Sequence, residues 1–480
     1  MKKRKVVVIG GGISGLAAAH RLLEANREAE LGLEVVLLER GSRLGGVISS
    51  MREESFVMEG GADAFLTEKP WALDLCRRLG LENELIGTHS ANRRSFILQD
   101  GRLKKIPAGF YLMAPVDALR FVASDLLSWP GKVRMLSEFF IPPRRARADE
   151  SVASFARRRF GREAFEKIVE PMAAGIYSAD AEQLSMAAAF PKFAALEQQD
   201  GSVLKGLRRM RADGAVSAAS GPRYGLFVTP RTGMERLVEA LRADMEELEV
   251  ITEFPVSRLE KSASWKIHGK NGACLEADAL CLALPAFEAA RLLEGIDRVL
   301  AAELNAISYE SAVTVNLAYR NIPNVKGFGY VVPPREKRPL LGCTFTSQKF
   351  EGRAPEGTTL IRAFLGGPSL REVMRESDAD ILERIQAELR FTLGIKTGPI
   401  LARVTRLPRA MPQYHVGHAV RVAAIRRLAA SHAGLFLAGN AYEGVGIPDC
   451  IRVGEEQAVH LLRFLEGLSS PRDTRVRVGS

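Results

Sequence analysis

At 480 residues the chain is longer than one hydrophobic core usually supports, so two or three domains or a discontinuous arrangement are expected. Its composition, 46% hydrophobic, reads as soluble and globular, with no apolar run long enough to span a bilayer and no leader after the basic start MKKRK, so a cytoplasmic location is expected. The formal charge of +10 is densest in PPRRARAD (142–149) and ARRRFGRE (156–163), which lack the interleaved aromatics of single-strand binders; nucleic acid is therefore excluded as a partner, while anionic lipid or an anionic substrate stays open. Five cysteines without CxxC spacing argue against a zinc site and a disulfide framework, and no metal is expected.

Taken in chain order, KVVVI (5–9) reads as a buried strand, followed by Gly10, Gly12 and Gly15 in GxGxxG spacing, with Ile13 and Ser14 inside the motif and a helix from Leu16. Such a turn lets backbone approach a diphosphate, while the helix N-terminus supplies amide hydrogens and partial positive charge. A second strand, 33–38, ends at Glu39, where an acid can accept both ribose hydroxyls of an adenosine and would repel a 2′-phosphate. RGSRLGG then places Arg40, Arg43, Gly45 and Gly46 directly after that acid, and EGGADAF adds Gly60, Gly61, Ala62 and Asp63. An ordinary nicotinamide site needs nothing of this kind past the acid, so the ordered series points to FAD.

Residues 109–215 alternate apolar segments such as FYLMAPVDALRFVASDLL with arginine-rich turns, at the spacing of amphipathic helices. TGMERLVEALRADMEEL sets Met234, Leu237, Val238 and Leu241 at helical spacing, and VITEFPVSRLEK and ADALCLALP read as strands. Near the C-terminus GLFLAGN reads as a strand leading into GNAYEGVGIPDCIRVG, with Asp449 placed to cap a helix whose Ala458, Leu461, Leu462 and Leu465 repeat at core spacing. There is no GxSxG elbow and no HExxH helix, and His415 and His418 read as loop histidines rather than a metal pair.

GGGISGL, ERGSRLGG, GIYSADAEQLS (175–185), GFGYVVP (327–333), MPQYHVGH (411–418) and the C-terminal glycine segment together resemble the FAD-dependent protoporphyrinogen and coproporphyrinogen oxidases of haem synthesis, over nearly the whole chain. The first motif is shared with amine oxidases and desaturases; GIYSAD and YEGVG…DCI are the specific marks. The resemblance implies an α/β fold: a Rossmann-like FAD domain assembled from 1–80, 230–285 and 420–480, an α+β substrate domain (81–108, 216–229 and 286–419), and a helical insertion (109–215) that borders the substrate and touches the membrane surface. It implies six-electron oxidation of a porphyrinogen in three two-electron cycles, with oxygen as acceptor and hydrogen peroxide released. Aromatisation supplies driving force, so positioning rather than a strong base is required.

By the same resemblance Val256 meets the adenine, Val445, Gly446 and Ile447 pass beside the flavin ring, and Gly175, Phe328, Val331, Thr344 and Phe364 line the substrate. Many relatives place an arginine before the aromatic that opens the NRRSFIL strand. Here that residue is Ser95, so Arg94 or Lys69 is the expected carboxylate anchor. A homodimer, peripheral contact with an anionic membrane and product handover to ferrochelatase are further expectations. The competing readings are a flavin amine oxidase or desaturase and, outside catalysis, an escort or GDI-like binding protein without flavin.

Overall fold

The computed structural model describes residues 3–144, 148–213, 227–323, 326–366 and 370–469. Residues 145–147 of the first basic patch and most of the 216–229 segment lie outside the described residues. The chain forms two compact units, one of residues 1–46, 238–306 and 422–480 and one of residues 47–237 and 307–421. Residues 47–80 thus have their contacts in the second unit, and 286–306 in the first.

The first unit is built on a parallel five-stranded sheet in the order Glu249–Ile251, Leu33–Leu38, Arg4–Ile9, Ala279–Leu282, Leu435–Leu437. Its central strand is an unbroken apolar run whose Val6, Val7 and Val8 are fully buried, as expected where helices cover both faces. This is the expected Rossmann-like α/β fold, with its sheet drawn from distant segments of sequence. The Ile13–Ala29 helix leaves the central strand and packs along the long C-terminal helix Ile447–Ser469. That crossing is close because Gly454 has no side chain: a Cβ there would lie 2.3 Å from the carbonyl oxygen of Ser14. A small antiparallel sheet, Val256–Lys261, Trp265–Gly269 and Cys274–Ala277, completes the unit's strands among the described residues.

The second unit is organised by a seven-stranded sheet in the order Leu401–Pro412, Tyr309–Arg320, Thr358–Leu365, Leu340–Thr344, Gly329–Val331, Ser95–Gln99, Arg102–Lys105. Alternation along the strands gives the sheet two characters. Val313, Val315, Leu317, Ile361, Ala363 and Leu365 pack against Ile381, Ile385 and Leu389 of the Asp378–Leu393 helix. The other face carries the polar residues Thr314, Asn316, Thr344 and Arg362. The insertion is helical as its spacing predicts, with helices that include Trp129–Leu136, Val152–Arg159, Glu170–Tyr177, Pro191–Asp200 and Val203–Ala212.

Candidate active site

In the first unit the glycine turn is shaped by contacts no side chain could share. Gly10 has φ +111°, and a Cβ on it would sit 2.3 Å from the Ala283 carbonyl oxygen; one on Gly15 would sit 1.9 Å from that of Gly10. A Cβ on Gly12 would meet nothing within 4 Å, so the first turn of the Ile13–Ala29 helix opens onto free space beside Ile13 and Ser14. The Gly10–Gly15 turn is thus a cradle of the kind a diphosphate occupies. Glu39 at the end of the second strand is fixed by the amides of Gly11 and Gly41, each 2.8 Å from one carboxylate oxygen. Gly45 donates to the Gly11 carbonyl at 2.8 Å, and Arg43 donates to the carbonyl of Gly46, so the second glycine pair lies against the first turn. Arg40 is exposed and, among the described residues, reaches Glu288 at 3.5 Å. Val256 is buried at the edge of the small sheet, and its carbonyl accepts a hydrogen bond from Arg291.

Val445 and Gly446 precede the C-terminal helix, which begins at Ile447, with Asp449 in its first turn. The tight position here is Gly444, with φ +114° and a virtual Cβ 2.4 Å from Asp449 Cγ, rather than Gly446. Cys450 is buried, its Sγ 3.9 Å from the Val445 carbonyl. The Gly454 crossing holds this segment beside the helix of the first turn, so the two glycine segments at opposite ends of the sequence belong to one unit.

Gly60, Gly61, Ala62 and Asp63 belong to the second unit, where the polar face of the large sheet holds their backbone. Thr314 Oγ1 donates to the Gly60 carbonyl at 3.0 Å, Asn316 Nδ2 to the Glu59 carbonyl at 3.0 Å, and Arg362 Nη2 to the carbonyls of Gly60 and Gly61. Lys349 Nζ donates to Asp63 Oδ2 at 2.9 Å, and Arg353 lies 3.5 Å from Glu59. Burial works against ionisation of Asp63, but Lys349, Arg362 and Arg353 outweigh it and hold its carboxyl down at about 2. Burial raises Glu59, opposed by Arg353 and by hydrogen bonds from Ser50 and the Met234 amide. It also lowers both guanidinium groups, against the pull of the two acids.

On the same unit a cavity brings Gly175, Phe328, Val331, Thr344 and Phe364 together. Its floor follows from sheet register. One row across the strands is Ser95, Gly329, Thr344 and Arg362, and the next on that face is Val331, Gly342 and Phe364. Gly329 and Gly342 keep this floor flat: a Cβ on Gly329, at φ +142°, would sit 2.0 Å from the Cys343 carbonyl oxygen. Opposite stands Gly175, whose Cβ would be 3.4 Å from Val331 Cγ1, in the last turn of a helix that follows a π-helical segment, Phe165–Val169. Carbonyls of a last turn have no intrahelical donor.

Arg94 and Lys69 are not on this wall: Arg94 is exposed before its strand, and its backbone donates to the Asn92 carbonyl at 2.6 Å and accepts from the Phe328 amide at 2.7 Å. Among the described residues the charged side chain on the wall is Lys349, which the sequence reading missed. His418 is buried and stacked on Tyr414, and His415 Nδ1 lies 3.5 Å from Ser308.

The sequence pattern of the family described as flavin containing amine oxidoreductase matches residues 13–462. The chain belongs to that family. Within it, the coproporphyrinogen III oxidase of Bacillus subtilis (strain 168) is 34% identical over 96% of this chain and 99% of its own length. The human protoporphyrinogen oxidase is 33% identical over 96% and 98%. A crystal structure from Exiguobacterium sp. 255-15, 31% identical, covers 96% of this chain and 99% of its own with a TM-score of 0.85. Family membership supplies the flavin for which the Gly10–Gly15 cradle and Glu39 are suited.

Proposed function

We propose that this chain is a porphyrinogen oxidase of haem biosynthesis, an FAD-dependent oxidoreductase that takes six electrons from protoporphyrinogen IX or coproporphyrinogen III and gives them to oxygen, releasing hydrogen peroxide. The observation that supports this most directly is the cavity. Its glycine-flattened floor, largely apolar lining and facing Gly175 suit a broad ring of pyrroles. FAD, when bound, supplies the two-electron acceptor that oxygen regenerates.

The chain's own groups then bind and orient. Gly10, Gly12, Ile13, Ser14 and Gly15 hold the diphosphate, Glu39 the ribose, and Arg40, Arg43, Gly45 and Gly46 the neighbouring chain, with Val256 at the adenine. Val445, Gly446 and Ile447, and Gly60 to Asp63, serve the ring end. Phe328, Val331 and Phe364 hold the substrate's faces, Thr344 gives it a hydroxyl, and the Gly175 carbonyl receives pyrrole N–H. The segments 1–80, 230–285 and 420–480 form the flavin domain, with the substrate domain and helical insertion as the remaining parts.

No helix among the described residues is long and apolar enough to cross a membrane. Peripheral contact is supported instead by the insertion, where Leu119, Trp129, Val133 and Phe140 are all more than half exposed within a short stretch that also bears the exposed Arg120. A homodimer and handover to ferrochelatase follow from the resemblance.

The test is aerobic turnover of both colourless porphyrinogens, followed by porphyrin fluorescence. Three peroxides per porphyrin is the expected result. No porphyrin from either, with peroxide released from an amine, would replace this reading with amine oxidation.

A further inference from the structure

We propose that Lys349 is the cation that receives a carboxylate of the substrate, with the Ser95 hydroxyl as its companion donor; this rests on the porphyrinogen reading above. Lys349 and Ser95 line the same cavity as Gly175 and Phe364. Ser95 is 3% exposed, yet its Oγ makes no hydrogen bond among the described residues. A buried hydroxyl without a partner is costly, and one on a cavity wall is relieved by a ligand acceptor.

Lys349 has capacity as well. An ammonium has three donors, and Asp63 takes one of them at 2.9 Å. The ammonium also lies 5.1 Å and 4.9 Å from the ring centroids of Phe227 and Phe350, contacts that leave its N–H groups available. Nor does Asp63 cancel the local charge. Lys349, Arg353 and Arg362 face only Asp63 and Glu59 in this cluster, three cations to two carboxylates, so a further carboxylate meets net positive charge. Arg362 is directed to the backbone of Gly60 and Gly61, which leaves Lys349 to serve the cavity.

Ser95 stands in register with Gly329 and, through it, with Thr344. The floor between the two hydroxyls is therefore bare backbone, a polar strip along which a propionate can lie.

The experiment compares coproporphyrinogen III with its tetramethyl ester on wild type, Lys349→Met, Lys349→Arg and Asp63→Asn, with flavin absorbance recorded to confirm loaded protein. Wild type should show a KM about ten- to a hundred-fold higher for the ester. Lys349→Met should raise KM for the acid and bring the ester-to-acid ratio near one, while Lys349→Arg keeps most of the ratio. Asp63→Asn frees the ammonium and should leave the ratio at or above wild type. An unchanged ratio in Lys349→Met overturns the proposal. Equal ratio losses in Lys349→Met and Asp63→Asn also overturn it, because they would make Lys349 a tether for the 60–63 turn. Failure of wild type on acid and ester, and on protoporphyrinogen IX as well, would instead remove the porphyrinogen reading itself.

Discussion

Glu138 and Arg159 in the helical insertion are both fully buried, and so, to within 1%, are Glu59 and Arg353 behind the 60–63 turn. The first pair is saturated. Arg159 gives Nε and Nη2 to Glu138 and its remaining donors to the carbonyls of Ile141, Pro142 and Gly201, while Glu138 also accepts from Ser202 Oγ and from the amides of Val203 and Leu204. Those amides open the Val203–Ala212 helix, so the carboxylate ties that helix's positive end to the rest of the insertion. The second cluster is unfinished: among the described residues Arg353 Nη1 and Arg362 Nε have no hydrogen-bond partner, and its acids and guanidinium groups are displaced from their ordinary pKa values. A satisfied buried pair fixes packing; an unsatisfied one beside a cavity keeps capacity for something that binds.

The sharpest way to break that contrast is to remove one member of each cluster. Arg159→Met strands the Glu138 carboxylate and should cost about 3–5 kcal/mol, read as a lowered unfolding midpoint in denaturant. Replacing both Glu138 and Arg159 with apolar residues should recover much of that loss. A loss below about 1 kcal/mol in the single variant would show that the saturated cluster is not structural. Arg362→Met should cost less stability, about 1–3 kcal/mol, but lower kcat per flavin-loaded molecule at least tenfold, because Gly60 and Gly61 lose their clamp. Full turnover with a stability loss as large as that of Arg159→Met would make the two clusters equivalent.

What was legible in the sequence was local. A continuous apolar strand, a glycine turn and an acid lie within the first forty residues, and each is recognisable without its neighbours. Phe328, Val331, Thr344 and Phe364 were named through a resemblance, and register explains why they meet. The rest depends on contacts between distant segments. Arg362 reads as one more strand cation until pairing sets it under Gly60, and Lys349 closes a four-residue helix with no motif of its own. Gly454 reads as a helix-weakening glycine, since its reason is an oxygen more than four hundred residues away. Gly454→Val should therefore cost about 1–3 kcal/mol and reduce flavin content by separating the two helices, as absorbance of the purified protein would show. At Gly446 the neighbours of a new Cβ are Asp449 Oδ2 at 3.3 Å and Pro448 Cδ at 3.6 Å, so there the protein itself objects less. Normal flavin content in Gly454→Val would mean that the helix crossing does not shape the site.

The smallest effect separates the clusters by acidity. The Asp63 carboxyl is depressed to about 2 by its cationic neighbours, so the stability it contributes is fully present above its unfolded value and is lost as pH falls through the folded one. The window is about pH 4 down to pH 2, and the contribution is at most about 2 kcal/mol, because a fifth of the side chain still meets solvent and is screened. Glu59 acts in the opposite sense: its raised carboxyl favours the folded state most at low pH, and that advantage fades as pH rises through its folded value. The net acid limb should therefore be shallow in wild type and shallower still in Asp63→Asn. Unfolding midpoints measured between pH 5 and pH 2.5 test this. If Asp63→Asn falls as steeply as wild type, the acid sensitivity belongs to other carboxylates, and the cluster behind the cavity is no more poised than the one in the insertion.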